Sequence, residues 1–438
     1  LFSGWFLSAC GTTATPTPLP TANPTPTADA RLVSTATPDK PVTITWSFWG
    51  DDSELEINKK IIAQFEAANP NIKVKPLYEK WETYFTRFFG QTATEVPDVM
   101  FLNNIPTYAS RDLLENLDPY VKAQRDFKVE DFYPLLLDTF RFKGTLYGIP
   151  RDNDTKVVYV NLDMLKEAGL AVPKAGWTWQ DLLNYSRKLT KRDASGNISR
   201  YGYAFELNQW WKLWVWQNDG EIYDSFVAPQ SPNRLLVNTP QAAEGVQFFA
   251  DLINKEKVTP PPDVLESGDK IANLFAQGKL AMAFGNHAVV PFYSSSKDIK
   301  WDVVPLPKGK KQVNILGGAG YAMHKQSNHK TEAWIFLRYL TGEFGQTLFA
   351  DTGVMVAARQ SIREDSIFLK SQKYNPDVFI EETRLLTNRP YPYFTGTDKV
   401  DSEMDRALKP VWNGTMTAAQ VFAELPQKIE PLLLASRR

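Results

Sequence analysis

Polar and apolar residues alternate first at 42–49. Val42, Ile44, Trp46 and Phe48 take turns with Thr43, Thr45 and Ser47, the period-2 pattern of a strand with one buried face. The turn Trp49-Gly50-Asp51-Asp52 follows, and Ser53 and Glu56 stand at capping-box spacing. Ile57, Ile61, Phe65 and Ala68 then recur at helical spacing, which predicts a helix with one buried stripe. Asn69-Pro70 ends it, because a residue before proline avoids the α region. Ile72, Val74 and Leu77 predict a second strand. The order strand, helix, strand predicts a parallel sheet covered by helices. In such sheets ligands sit beyond the carboxyl ends of the strands, where this chain places Trp49, Asp51 and Asp52.

The rest of the chain repeats the theme. WETYFTRFF (81–89) is spaced as an amphipathic helix, and VMFL (99–102) is a wholly apolar run that fits a buried strand. Asn103-Asn104 follows at its carboxyl end. A polar cluster, Arg151 to Thr155, precedes the apolar run VVYV and has the character of a crossing between two bodies. Residues 206–220 predict one helix bearing Trp210, Trp211, Trp214 and Trp216. Residues 239–255 and 269–277 predict further helices. The run 279–284 predicts a buried strand ending at Gly285-Asn286-His287, and 315–323 predicts a single glycine-rich strand. The remainder is mainly helical, interrupted at Tyr391-Pro392-Tyr393-Phe394.

Composition narrows the function. A formal net charge of −1 argues against nucleic-acid binding, which needs a basic stripe. With one cysteine, Cys10, and three scattered histidines, no disulfide within the chain and no metal site is expected, and no cofactor is implied. Gly317-Gly318-Ala319-Gly320 lacks the Lys-Ser/Thr of a phosphate loop. Thirteen tryptophans are many for 438 residues. Most are expected in the core, but a few beyond strand ends suit a ligand with apolar faces.

Leu7-Ser8-Ala9-Cys10 resembles a bacterial lipoprotein processing site, which implies a clipped signal over 1–10 and a lipid anchor on Cys10. Residues 11–41, rich in Thr, Pro and Ala, are expected to be an extended spacer. The implied location is the bacterial cell surface or periplasm, tethered to the cytoplasmic membrane.

From Val42 onwards the order of motifs is that of a known family. ITWSFWG, FEAANPNIKV, PDVMFL, GTLYGIP, YVNLDML, WTWQDL, GKLAMAFGN, ILGGAGYAMHK and AWIFLRYLTGEFGQ follow one another over nearly the whole body. The chain resembles the extracellular solute-binding proteins of ABC importers that include maltose-binding protein. The resemblance implies a two-lobed α/β fold, each lobe a mixed, mostly parallel sheet flanked by helices. It places the N-terminal lobe at 42–150 and 299–353 and the C-terminal lobe at 151–298 and 354–438. It also implies a sugar held between the lobes by hinge closure, no catalysis, a membrane-embedded permease as partner, and a monomer. A sugar needs rings for its CH faces and polar groups for its hydroxyl rims. Trp49, Asp51, Asp52, Trp81, Asn103, Asp152, Asp154, Trp210, Trp211, Asn286, His287, Gly318, Arg359 and Phe394 are the expected ligand residues. His287 stands where the family often has a stacking tryptophan. Two alternatives remain: the same receptor with a peptide or polyamine ligand, and a secreted glycoside hydrolase using paired carboxylates.

Overall fold

A computed structural model describes residues 38, 40–50, 52–90, 95–208, 210–225, 232–351, 355–365 and 374–436. Cys10, Asp51 and nearly all of the Thr/Pro-rich spacer lie outside them. The opening unit forms as its pattern requires: β1 (Val42–Trp49), α1 (Asp52–Ala68) and β2 (Ile72–Glu79). Asn69 closes α1 by donating both its backbone N–H and its side-chain amide to the Phe65 carbonyl. Then come α2 (Trp81–Phe89), β3 (Val99–Leu102), β4 (Gly148–Pro150) and β5 (Val157–Asn161). Helices α3 (Trp211–Gln217) and α4 (Pro240–Asn254) precede β6 (Met282–Gly285), β7 (Trp301–Val304), β8 (Ile315–Leu316) and β9 (Gly320–Met323). The chain continues through α5 (Lys330–Thr341), α6 (Glu343–Asp351) and α7 (Asp377–Thr383). It ends with β10 (Arg389–Pro390), α8 (Thr397–Trp412) and α9 (Ala418–Ala435).

Two sheets centre two apolar cores. The first has strand order β2-β1-β3-β9-β4, with β1 parallel to β2 and β3, and β9 antiparallel to β3 and β4. Trp46 is fully buried in it, 5.1 Å from Phe336 of α5 and 5.9 Å from Tyr321 of β9. The second sheet, β6-β5-β7, is antiparallel throughout. This corrects the expectation of mostly parallel pairing. A wholly apolar run reports burial on both faces, not direction, and VVYV is covered on both faces between antiparallel neighbours. The second core stacks Trp214 of α3 on Phe249 of α4 at 3.9 Å.

The lobe boundaries also shift. β7 pairs with β5, so the stretch beginning at 299 stays with the second sheet. Residues Met355, Ala357, Ala358 and Ile362 pack in the first core rather than in the second. The predicted glycine-rich strand is two strands: β8 pairs with β10 and β9 joins the first sheet. The chain crosses between the bodies in three adjacent segments. Arg151 and Asp152 N–H donate to the Ala319 carbonyl, Asp154 N–H to Gly317 at 2.7 Å, and Asn153 N–H to Val356 at 2.9 Å. Asp152 and Ala357 form an antiparallel bridge. No helix among the described residues is long and apolar enough to cross a membrane.

Candidate functional site

The crossings form the floor of a cavity of about 320 Å³ between the two bodies, within the usual range for small-ligand sites. Strand ends supply its walls. Trp49 ends β1, and its ring lies 4.1 Å from Phe101, 5.1 Å from Tyr84 and 5.1 Å from Trp81. Tyr84 is anchored beneath by donating to the Phe101 carbonyl at 3.0 Å. Trp81 opens α2 and is 48% exposed, so its face is available. Asn103 follows β3. From the other body come Trp210, just before α3, the loop Asn286-His287-Ala288 after β6, and Tyr393. The Tyr159 hydroxyl holds that loop by donating to the Asn286 carbonyl at 2.6 Å. Asn103 Nδ2 donates to the Tyr393 hydroxyl at 3.3 Å, and Asn104 Nδ2 to Asp398 Oδ1 at 3.3 Å, so the bodies touch across the cavity.

The charges are paired. Arg151 lies over the Phe101 ring at 4.1 Å and contacts both Glu54 of α1 and Asp152, the latter at 2.7 Å. Burial works against its charge, but Glu54 and Asp152 outweigh burial and raise its pKa. Burial also raises the Asp152 pKa, opposed by Arg151 and by the Ala319 N–H at 2.7 Å. Lys156 Nζ is 3.1 Å from Asp154 and 3.7 Å from the Trp210 ring centre. Gly318 passes so close to the first crossing that a Cβ would stand 2.2 Å from the Asp152 carbonyl oxygen. No grouping of His, Cys, Asp and Glu among the described residues suits a metal ion.

Of the residues expected from sequence, Trp49, Trp81, Asn103, Asp152, Asp154, Trp210, Asn286, His287 and Gly318 meet in this cavity. Four described ones do not. Asp52 is exposed in the first turn of α1. Trp211 is fully buried, its indole N–H donating to Asp405 at 3.1 Å. Phe394 packs edge-on to Tyr223 at 5.5 Å in the second core. Arg359 is buried in the first body, donating to the Thr341 and Phe127 carbonyls and pairing with Asp131 at 3.2 Å. Sequence reasoning missed Arg151, Asn153 and Tyr393. The polar cluster at the first crossing was a usable signal for the first two. His287 lines the cavity but is itself largely buried, edge-on to Phe379 at 4.8 Å.

A larger open groove of about 1100 Å³ runs between α4 and the turn before α9, on the second body alone. It draws on one lobe only and lacks the ring of tryptophans, so the inter-lobe cavity is the candidate site.

Known proteins share this plan. The family model described as bacterial extracellular solute-binding protein matches residues 51–347, more than half of the chain. The chain belongs to that family. Among curated relatives, the sn-glycerol-3-phosphate-binding periplasmic protein UgpB of Salmonella typhimurium is 24% identical over 411 residues, spanning 86% of this chain and 90% of that one. Among solved structures, the ABC substrate-binding protein Lmo0181 of Listeria monocytogenes, in complex with cycloalternan, has a TM-score of 0.79 at 22% identity. The match covers 90% of this chain and 99% of that one. Maltose-bound MalE3 of T. maritima has a TM-score of 0.74 at 21% identity, covering 89% and 99%. The two-lobed fold of these solute-binding proteins is the fold of this chain.

Proposed function

We propose that this solute-binding protein captures a sugar between its lobes and delivers it to the membrane permease of an ABC importer, as a receptor without turnover. The observation that carries the reading is the composition of the inter-lobe cavity. Trp49, Trp81, Trp210 and Tyr393 offer apolar faces, while Asn103, Asn153, Asn286 and two carboxylates converge from both sides. Rings for CH faces and amides or carboxylates for hydroxyl rims are what a carbohydrate requires. The structural relatives solved with cycloalternan and with maltose bound fit the same chemistry. In this reading the three crossings are the hinge, the lobes divide at 151–155, 317–319 and 355–358, and a lipid on Cys10 tethers the protein beside its permease.

A thermal-shift screen of mono- and oligosaccharides beside peptides and polyamines tests it. A cognate sugar at 100 times its dissociation constant stabilises by roughly 2.7 kcal/mol. Stabilisation by an amine or peptide and by none of the sugars overturns the ligand class. Release of reducing sugar from oligosaccharides overturns the receptor.

A further inference from the structure

We propose that the inter-lobe cavity selects against anionic solutes, and that Glu54 and Asp154 enforce this by occupying its two cations. The inference rests on reading that cavity as the ligand site. Among the described residues Arg151 is the one Lys or Arg lining it, and Lys156 stands directly behind the lining residues Asp154 and Trp210. Each has an internal counter-ion. Asp152 takes the Nε and Nη2 side of the Arg151 guanidinium, and Glu54 takes Nη1 from the first turn of α1. The Glu54 carboxylate also lies against Gly50, where an added Cβ would stand 2.7 Å from Oε2. Asp154 holds the Lys156 ammonium at 3.1 Å.

The two cations face three carboxylates in direct contact, and the buried Glu206 carboxyl also lies near Lys156 and Asp154, so the cluster carries no spare positive charge. A phosphate ester entering this site loses its hydration, meets those carboxylates, and must displace one to reach either cation. A neutral polyol meets no such penalty, and the paired carboxylates still have lone pairs to accept from its hydroxyls.

Isothermal titration calorimetry with sn-glycerol 3-phosphate and with inorganic phosphate tests the proposal. The wild-type protein is expected to give no saturable binding of either at millimolar concentration. Asp154→Asn, at a side chain 29% exposed, removes the carboxylate in contact with Lys156, and Glu54→Gln removes the one on the Nη1 arm of Arg151. At least one variant should gain anion binding by about tenfold or more, and the gain should weaken with added salt. Asp112→Asn, at an exposed carboxylate paired with Lys325, serves as the control and should gain nothing. Melting curves by circular dichroism establish that each variant is folded. Saturable anion binding by the wild type overturns the proposal, and so does the absence of any gain in both folded variants. If the wild type rejects anions, Asp154→Asn accepts them, and no neutral sugar binds, the charge selection stands and the sugar reading falls.

Discussion

Trp46, Trp49 and Trp81 lie close in the chain and occupy three environments. Trp46 is wholly enclosed, Trp49 is half-buried among four aromatic rings, and Trp81 is 48% exposed at the cavity. Trp81→Ala should therefore weaken sugar binding by about tenfold while leaving the melting temperature near wild type, since stacked rings contribute about 0.5–1.5 kcal/mol beyond burial. Trp46→Ala should cost about 3–5 kcal/mol in urea unfolding. Trp49→Ala should do some of both, because its ring supports Trp81 and also packs on Phe101. Alternation along β1 was enough to separate Trp46 from Trp49, but not to show how deeply a residue past a strand end is packed. The same limit explains Arg359. A lone arginine in a loop has no local signal for its destination, which two carbonyls and Asp131 decide from 18 to more than 200 residues away. Asn103 and Asn286 were legible because each follows an apolar strand, and such strands end where ligands approach.

At the scale of elements, the helices and strands with clear periodicity formed within a residue or two of expectation, although α1 begins at Asp52, so Ser53 lies inside the helix rather than at its cap. The long helix expected at 206–220 is only α3, Trp211–Gln217, and Trp210 just before it lines the cavity. The glycine-rich strand was not legible as two, because a change of sheet leaves the hydrophobic pattern intact. Gly318→Ala tests that crossing. Its Cβ would collide with backbone at 2.2 Å, so the two segments must separate, lowering both the melting temperature and the ligand affinity. Helix α7 braces the same region. Glu382 accepts from Asn314 Nδ2, and Asn314 also bonds the Lys156 backbone in both directions. Burial raises the Glu382 pKa to about 8. The folded state thus holds a proton that the unfolded state releases. Stability is greatest below the ordinary glutamate range, falls as pH rises towards about 8, and levels off above it. Melting curves from about pH 5 to pH 9 should show this decline in the wild type and a smaller one in Glu382→Gln.

For the molecule as a whole, the relevant variable is the angle between two bodies joined by three short segments. Contacts across the cavity, Asn103 to Tyr393 and Asn104 to Asp398, exist only when the bodies are together. Ligand drives closure only through tighter binding to the closed form. Small-angle scattering should show a smaller radius of gyration at sugar saturation, and an unchanged radius would count against a hinge. The two-body plan was legible from the order of motifs. The boundaries were not, because they depend on which sheet β7 and the segment after Met355 join.

The position of β9 carries a consequence for how this chain comes to be folded. It lies between β3 and β4, so those two strands never touch, although both are made long before it. Until Met323 has been synthesised, the first sheet is open at its centre and two apolar edges stay unsatisfied. The first body cannot mature as a unit while the second is still being translated, and a chain stopped anywhere before β9 has no complete sheet on that side. A chain stopped in that interval leaves β3 and β4 as unpaired, aggregation-prone edges.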